Sequence, residues 1–160
     1  MKKIIVTIFA LLLFTACGSE VADNEPEPVE KPTEYSVGQS INFENGLIIK
    51  VESTRTDSGK EYFEPDEGNE YYYIKIRLEN KGKESYASSS MFSYELRDSE
   101  GITYESAIFA ETVGDIDGTV LVGDVLVGEV AFEVPIELSA NLYLYFTPDL
   151  FSDPIKIKLK

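Results

Sequence analysis

Hydrophobic and polar positions divide the chain into three stretches with different patterns. Ile4 to Phe14 is an apolar run interrupted only by Thr7, with Lys2 and Lys3 ahead of it and Thr15-Ala16 behind. A short positive end, a brief apolar core and small residues at its close form a secretory signal peptide. The run is too short to span a bilayer as a helix, which needs about 20 apolar residues. Residues 18 to 34 are acidic, carry Pro26, Pro28 and Pro32, and hold almost no large apolar side chain. Such a segment cannot bury enough surface to order itself. It is expected to act as a tether spanning roughly 20–25 Å.

From Tyr35 the pattern is that of β-strands: no window holds a helical period, while two-residue alternation recurs. Gly38 to Phe43 reads as a first strand and Asn45-Gly46 as a tight turn. Leu47 to Glu52 places Leu47, Ile49 and Val51 on one face. Asp57 to Glu70 reads as a polar loop. Tyr71 to Glu79 is the clearest strand: Tyr72, Ile74, Ile76 and Leu78 share a core face, and Tyr71, Tyr73, Lys75, Arg77 and Glu79 share a wet one. Met91 to Arg97 follows with Phe92, Tyr94 and Leu96 inward, then a turn at Asp98 to Gly101 into Ile102-Tyr104. Residues 106 to 119 are less regular; Ala107 to Glu111 reads as a short strand or a helical turn. Asp124 to Val134 points Leu126, Val130, Phe132 and Val134 inward, with Gly128 marking a bulge or a close packing contact. Leu142, Leu144 and Phe146 repeat the alternation. The last strand, from Ile155, turns Lys156, Lys158 and Lys160 outward as an edge guard. Seven to nine short strands at this spacing predict an all-β, immunoglobulin-like antiparallel sandwich over residues 35–160.

Cys17 is the only cysteine, and it directly follows the small pair of the signal peptide. The stretch Phe14-Thr15-Ala16-Cys17 resembles the lipobox of bacterial lipoproteins, with Phe14 where leucine is usual. That resemblance implies cleavage of residues 1–16 and a lipid on the thiol of Cys17. The mature chain would start there, with residues 17–34 as its tether. It also implies anchoring on the outer face of the cytoplasmic membrane, for which two or more acyl chains suffice. The alternative is a freely secreted protein with a chance cysteine.

Three stretches resemble a known family: Asn69 to Lys83, Phe92 to Tyr104, and Leu121-Val122-Gly123 through Gly128 to Pro135. They are similar to the telokin-like, immunoglobulin-type domain of unknown function found in Gram-positive extracellular lipoproteins. That family is related in fold to a secreted mycobacterial immunogenic protein. Val122-Gly123 stands where the family usually has Pro-Gly. The resemblance implies a β-sandwich at the cell exterior and brings no catalytic residues.

Composition narrows the chemistry. Lys2 and Lys3 leave with the signal peptide, so 14 basic residues become 12 against 29 acidic ones. Nucleic acid, which needs Lys/Arg patches, is a poor partner, and an anionic membrane surface repels the chain. Basic proteins, cations and neutral ligands are the compatible partners. With one cysteine and no histidine, the chain cannot build a disulfide framework, a histidine-based nucleophilic site, or a His-ligated zinc or copper site. No cofactor is expected, and no positive sign of an enzyme is present.

Two candidate sites remain. Tyr71 and Tyr73, with Lys75 and Arg77 at period two, form a candidate binding face that Tyr143 and Tyr145 would extend. Cross-strand pairing within the sheet is the structural alternative. Asp57, Glu61, Glu64, Asp66, Glu67 and Glu70, together with Asp115 and Asp117, could offer oxygens to a hard cation such as calcium. The Asp115-Ile116-Asp117-Gly118 stretch continues into Thr119 and Val120, so it fails the EF-hand pattern; a solvated acidic loop is the plainer reading. The resulting expectation is a non-enzymatic interaction module meeting a cell-envelope or extracellular protein. The second is a ligand- or calcium-binding lipoprotein.

Overall fold

The computed structural model describes residues 34–60, 62–149 and 151–160. The signal peptide, Cys17 and nearly all of the proposed tether lie outside them. Eleven strands and no helix occur among the described residues. They are β1 (Tyr35–Ser36), β2 (Ser40–Asn42), β3 (Leu47–Asp57), β4 (Asn69–Asn80), β5 (Tyr86–Ser88), β6 (Tyr94–Asp98), β7 (Thr103–Tyr104), β8 (Gly118–Val120), β9 (Val125–Pro135), β10 (Leu142–Phe146) and β11 (Ile155–Lys158). A five-stranded sheet in the order β1-β11-β10-β6-β7 faces a four-stranded sheet in the order β2-β3-β4-β9, and β5 and β8 form a separate ribbon.

Alternation gives each sheet its inner face. Ile49, Ile74, Ile76, Leu78, Val130 and Phe132 from one sheet meet Tyr94, Leu96, Leu144, Phe146 and Ile157 from the other, all buried. Each fully buried side chain of this size stabilises the fold by about 1.5–3 kcal/mol before chain entropy is set against it. The turns form where the sequence places them. Asn45 Oδ1 accepts the N–H of Leu47 at 3.0 Å, and Gly46 takes φ +88°, so the β2–β3 connection closes without steric cost. At the β6–β7 turn, Asp98 Oδ1 accepts the N–H groups of Glu100 and Ile102, and Oδ2 accepts the Tyr104 hydroxyl at 2.8 Å. Burial raises the Asp98 carboxyl, but these donors outweigh it and hold the group below its ordinary value. Burial and the same carboxylate push the Tyr104 hydroxyl up to about 12.

Several boundaries differ from the sequence reading. The stretch from Gly38 to Phe43 is strand only over Ser40–Asn42, and Tyr35–Ser36 forms an earlier strand in the opposite sheet. The chain crosses between sheets at Gly38, whose φ is +88°. Strand β3 runs on to Asp57, because a register shift between Val51 and Ser53 resets the alternation and lets Ser53 to Asp57 keep pairing with β4. The strand expected from Met91 starts only at Tyr94, and Phe92 is exposed at 79% rather than inward, because it lies in the turn before β6. Ala107 to Ala110 is a turn. The β5–β8 ribbon had no sequence signal. Strand β11 is not an edge: β1 pairs with it in parallel, Tyr35 opposite Ile157 and Ser36 opposite Lys158.

Strand β9 is the far edge of the four-stranded sheet. The segment between β7 and β8 closes it. The Ala107 N–H donates to Ala131 O at 2.9 Å and the Glu133 N–H donates to Glu105 O at 3.1 Å, stitching that segment to the free backbone of β9. Farther on, the segment rounds the edge at Gly114 and passes to the inner side, where Ile116 enters the core at 1% exposure. Gly128 makes the crossing feasible. A Cβ there would sit 2.5 Å from the Asp115 carbonyl carbon and 2.6 Å from the Ile116 nitrogen. The β4–β9 register is continuous through it, so of the two expected readings of Gly128 the close contact holds.

Candidate binding surface

The outer face of the four-stranded sheet divides into two halves. Lys75 and Arg77 occupy the open half, both held by Glu52: Arg77 Nε donates to Oε1 at 2.7 Å and Lys75 Nζ lies 3.5 Å from Oε2. Tyr71 and Tyr73 occupy the other half, and the expected wet face is overturned there. Tyr73 is only 2% exposed and Tyr71 is also buried. Their rings meet edge to face at 6.2 Å, and Ala107, Ala110 and Ala131 pack onto them. Strand parity put the tyrosines on the outer face; the segment folding back from β9's edge then roofs them. Burial pushes the hydroxyls of both upward. Nor do Tyr143 and Tyr145 extend this face. They lie on β10 in the other sheet, beneath Lys156 at 3.8 Å and Arg97 at 4.6 Å respectively.

The roof is held by an ion pair that the sequence did not reveal. Arg55, outward on β3, stacks over Tyr73 with its guanidinium carbon 3.5 Å from the ring centroid. Its Nε and Nη2 donate to Glu129 on β9 at 3.1 and 2.8 Å, spanning β4 between them. Nη2 also donates to the Glu111 carbonyl at 3.2 Å, and Glu129 Oε2 accepts the Val113 N–H at 2.9 Å. Sheet and roof are thus joined by charge-assisted hydrogen bonds. Burial raises the Glu129 carboxyl, but the Arg55 guanidinium and the Val113 N–H outweigh it, so the group ionises below its ordinary value. The bond to Glu129 raises Arg55 in turn.

Above this base, two loops meet. Lys60 Nζ binds Glu111 Oε2 at 3.0 Å, linking the β3–β4 loop to the roof. Phe63 from that loop and Phe109 from the roof stack with centroids 6.2 Å apart and planes 26° from parallel. Both rings remain open to solvent, Phe109 at 67% exposure, and Tyr62, Ile108 and Val113 beside them are exposed too. A cavity of about 280 Å³ opens next to the pair, lined by Arg55, Asp57, Lys60, Phe63, Tyr73 and Val113. Neither ring was read as a site residue. Their signal was two pairs of large apolar residues, Tyr62-Phe63 and Ile108-Phe109, standing in stretches without alternation.

The acidic residues proposed as cation ligands are dispersed. Asp57 Oδ1 accepts the Gly59 N–H at 2.7 Å, and the Asp66 N–H donates to Glu133. Glu64 and Glu67 are exposed. Asp115 Oδ1 caps the Asp117 N–H, while both Asp117 oxygens bind Ser90, through its N–H at 2.6 Å and its hydroxyl at 2.7 Å. Glu61 lies outside the described residues. Among those described, no group of three or more acidic, histidine or cysteine side chains converges in a way that could hold a metal ion.

Residues 35–157 match the family described as a domain of unknown function, DUF4352, and the chain belongs to it. Solved structures share its β-sandwich. The yjhA protein of Bacillus subtilis is 16% identical, with a TM-score of 0.60 over 79% of this chain and 99% of that one. MPT63, a secreted protein of Mycobacterium tuberculosis, is 13% identical, with a TM-score of 0.58 over 81% of this chain and 98% of its own. A candidate lipoprotein of Bacillus subtilis, ycdA, is 14% identical with a TM-score of 0.59; the match covers 76% of this chain but only 38% of that longer one. At these identities the likeness is one of fold. No curated protein matches the sequence closely enough to count as a relative.

Proposed function

We propose that this DUF4352 protein is a non-enzymatic protein-interaction module, held on the outer face of the cytoplasmic membrane by lipid on Cys17, with the Phe63–Phe109 pair at the centre of its contact surface. The observation that carries this reading is two stacked aromatic rings, contributed by separate loops and left open to solvent above a rigid base. Apolar rings at the surface lose solvent contact when a partner covers them, and exposed aromatic clusters are characteristic of interface centres. The Arg55–Glu129 pair pre-organises the loops, which lowers the entropy lost on association. The anchor is supported by the Lys2-Lys3, apolar and Cys17 pattern, and by the candidate lipoprotein and the secreted protein among the structural neighbours.

Two measurements test it. Labelled palmitate should enter the wild-type protein, and Cys17→Ala should abolish the label and release the protein from membranes; a variant that stays equally membrane-bound removes the anchor. A benzophenone side chain at Ile108 should crosslink a cell-envelope protein on intact cells. Capture no greater than from the same probe at Ile136, an exposed apolar position outside both loops, removes the contact surface.

A further inference from the structure

We infer that the Phe63–Phe109 surface receives a cationic segment of another protein, one in which lysine or arginine side chains alternate with large apolar ones. The inference rests on the contact surface proposed above and specifies the chemistry of what meets it. The two stretches that build the surface, residues 57–68 and 105–113, carry seven acidic residues and a single basic one, Lys60. Lys60 is bound to Glu111, and Arg55 beneath is bound to Glu129, so both nearby cations already face carboxylates. The exposed rings therefore stand in a strongly negative field.

A field of that sign selects among partners. It repels anionic lipid headgroups and nucleic acid, and it draws in cationic protein segments. The aromatic faces add a second attraction, because an ammonium or guanidinium group above a ring gains about 0.5–1 kcal/mol at an exposed site. Arg55 already takes this position over Tyr73 in the floor of the cavity. The cavity, of about 280 Å³, has room for one side chain of an entering segment, with Phe63 and Val113 as its apolar walls. Charge then governs the rate of arrival, and the apolar anchor governs the rate of departure.

The test uses three synthetic peptides of equal length: lysines alternating with leucine and phenylalanine, the same lysines alternating with alanine, and the first peptide with glutamate in place of lysine. Only the first should bind. Its affinity should fall at least ~10-fold in Phe63→Ala/Phe109→Ala, the loss of about 1.4 kcal/mol, while the fold survives with only a small drop in melting temperature, because Phe109 is 67% and Phe63 49% exposed. Its association should slow as salt rises from about 50 to about 500 mM. Glu64→Gln/Glu67→Gln should slow association several-fold; Glu84→Gln/Glu137→Gln, which removes equal charge elsewhere, should not. Equal binding of the alanine peptide, equal slowing by the two charge variants, or equal binding to phosphatidylglycerol vesicles overturns the inference. If no peptide binds while the Ile108 probe still captures an envelope protein, the cationic partner is refuted and the contact surface stands. If both fail, the contact surface falls with it.

Discussion

Gly128→Ala adds one methyl group, and the structure says what it would strike. The new Cβ would lie 2.5 Å from the Asp115 carbonyl carbon, 2.6 Å from the Ile116 nitrogen and 2.8 Å from the Asp115 oxygen. All three are backbone atoms, so no rotamer change relieves the clash. Either β9 distorts, at the 1–3 kcal/mol typical of overpacking, or the crossing segment lifts and withdraws Ile116 from the core, losing about 1.5–3 kcal/mol of burial. Either route gives a loss of about 2–3 kcal/mol, which for a domain of this size lowers the melting temperature by roughly 8–15 °C. Because the chain has no tryptophan, far-ultraviolet circular dichroism during thermal and urea unfolding is the suitable assay. A double-mutant cycle makes it specific. Ile116→Ala alone should cost about 2–4 kcal/mol. Once Gly128→Ala has unseated that side chain, removing it should cost at least about 1 kcal/mol less. Additive effects, or a Gly128→Ala melt within about 3 °C of wild type, would refute the claim that the segment is wedged against this glycine.

Glu129→Gln retains an acceptor for the Val113 N–H but leaves Arg55 without its counter-charge. With Arg55 more than a third exposed, solvent screening discounts the loss to about 1–2 kcal/mol at neutral pH. The Glu129 carboxyl lies below its ordinary 4.5 in the fold. Its stabilisation is therefore complete above that value and lost as pH falls through the lower folded one; acid melts of wild type and Glu129→Gln should converge once pH lies below the folded value, and parallel curves would disprove the linkage. Asn80, buried at the end of β4, donates from Nδ2 to the carbonyls of Glu84 and Val120 and accepts the Gly82 N–H. Asn80→Ala should cost about 2–4 kcal/mol in urea unfolding by stranding these groups, and a change under about 0.5 kcal/mol would show that they find other partners.

The inner half of the sandwich was legible because its rule is local. Ile74, Ile76 and Leu78 follow one another at period two, and nothing elsewhere in the chain alters which way they point. Gly128 was legible for a related reason: an empty position in a run of inward apolar residues asks what fills its place. The outer faces were not legible, since parity assigns Tyr71 and Tyr73 a side without saying whether another segment will cover it. The pairing of Arg55 with Glu129 depends on β3 and β9 flanking β4, which is a property of topology. Lys156 and Lys158 look like edge residues only until Tyr35–Ser36 is known to be a strand, and two residues carry no periodicity. The aromatic pair was hidden by the label polar loop, earned by the charges on either side of Tyr62-Phe63.

The parallel contact of β1 with β11 joins the first and last strands of the domain. Tyr35 has no place to dock until Ile157 has been made and laid beside β10. During synthesis, Tyr35 and Ser36 therefore stay unpaired until β11 has been made. Closing so long a loop comes late in folding, after the more local hairpins have formed. A product ending before Ile155 would leave β10 as a raw edge and Tyr35 without its partner strand, a form open to proteolysis.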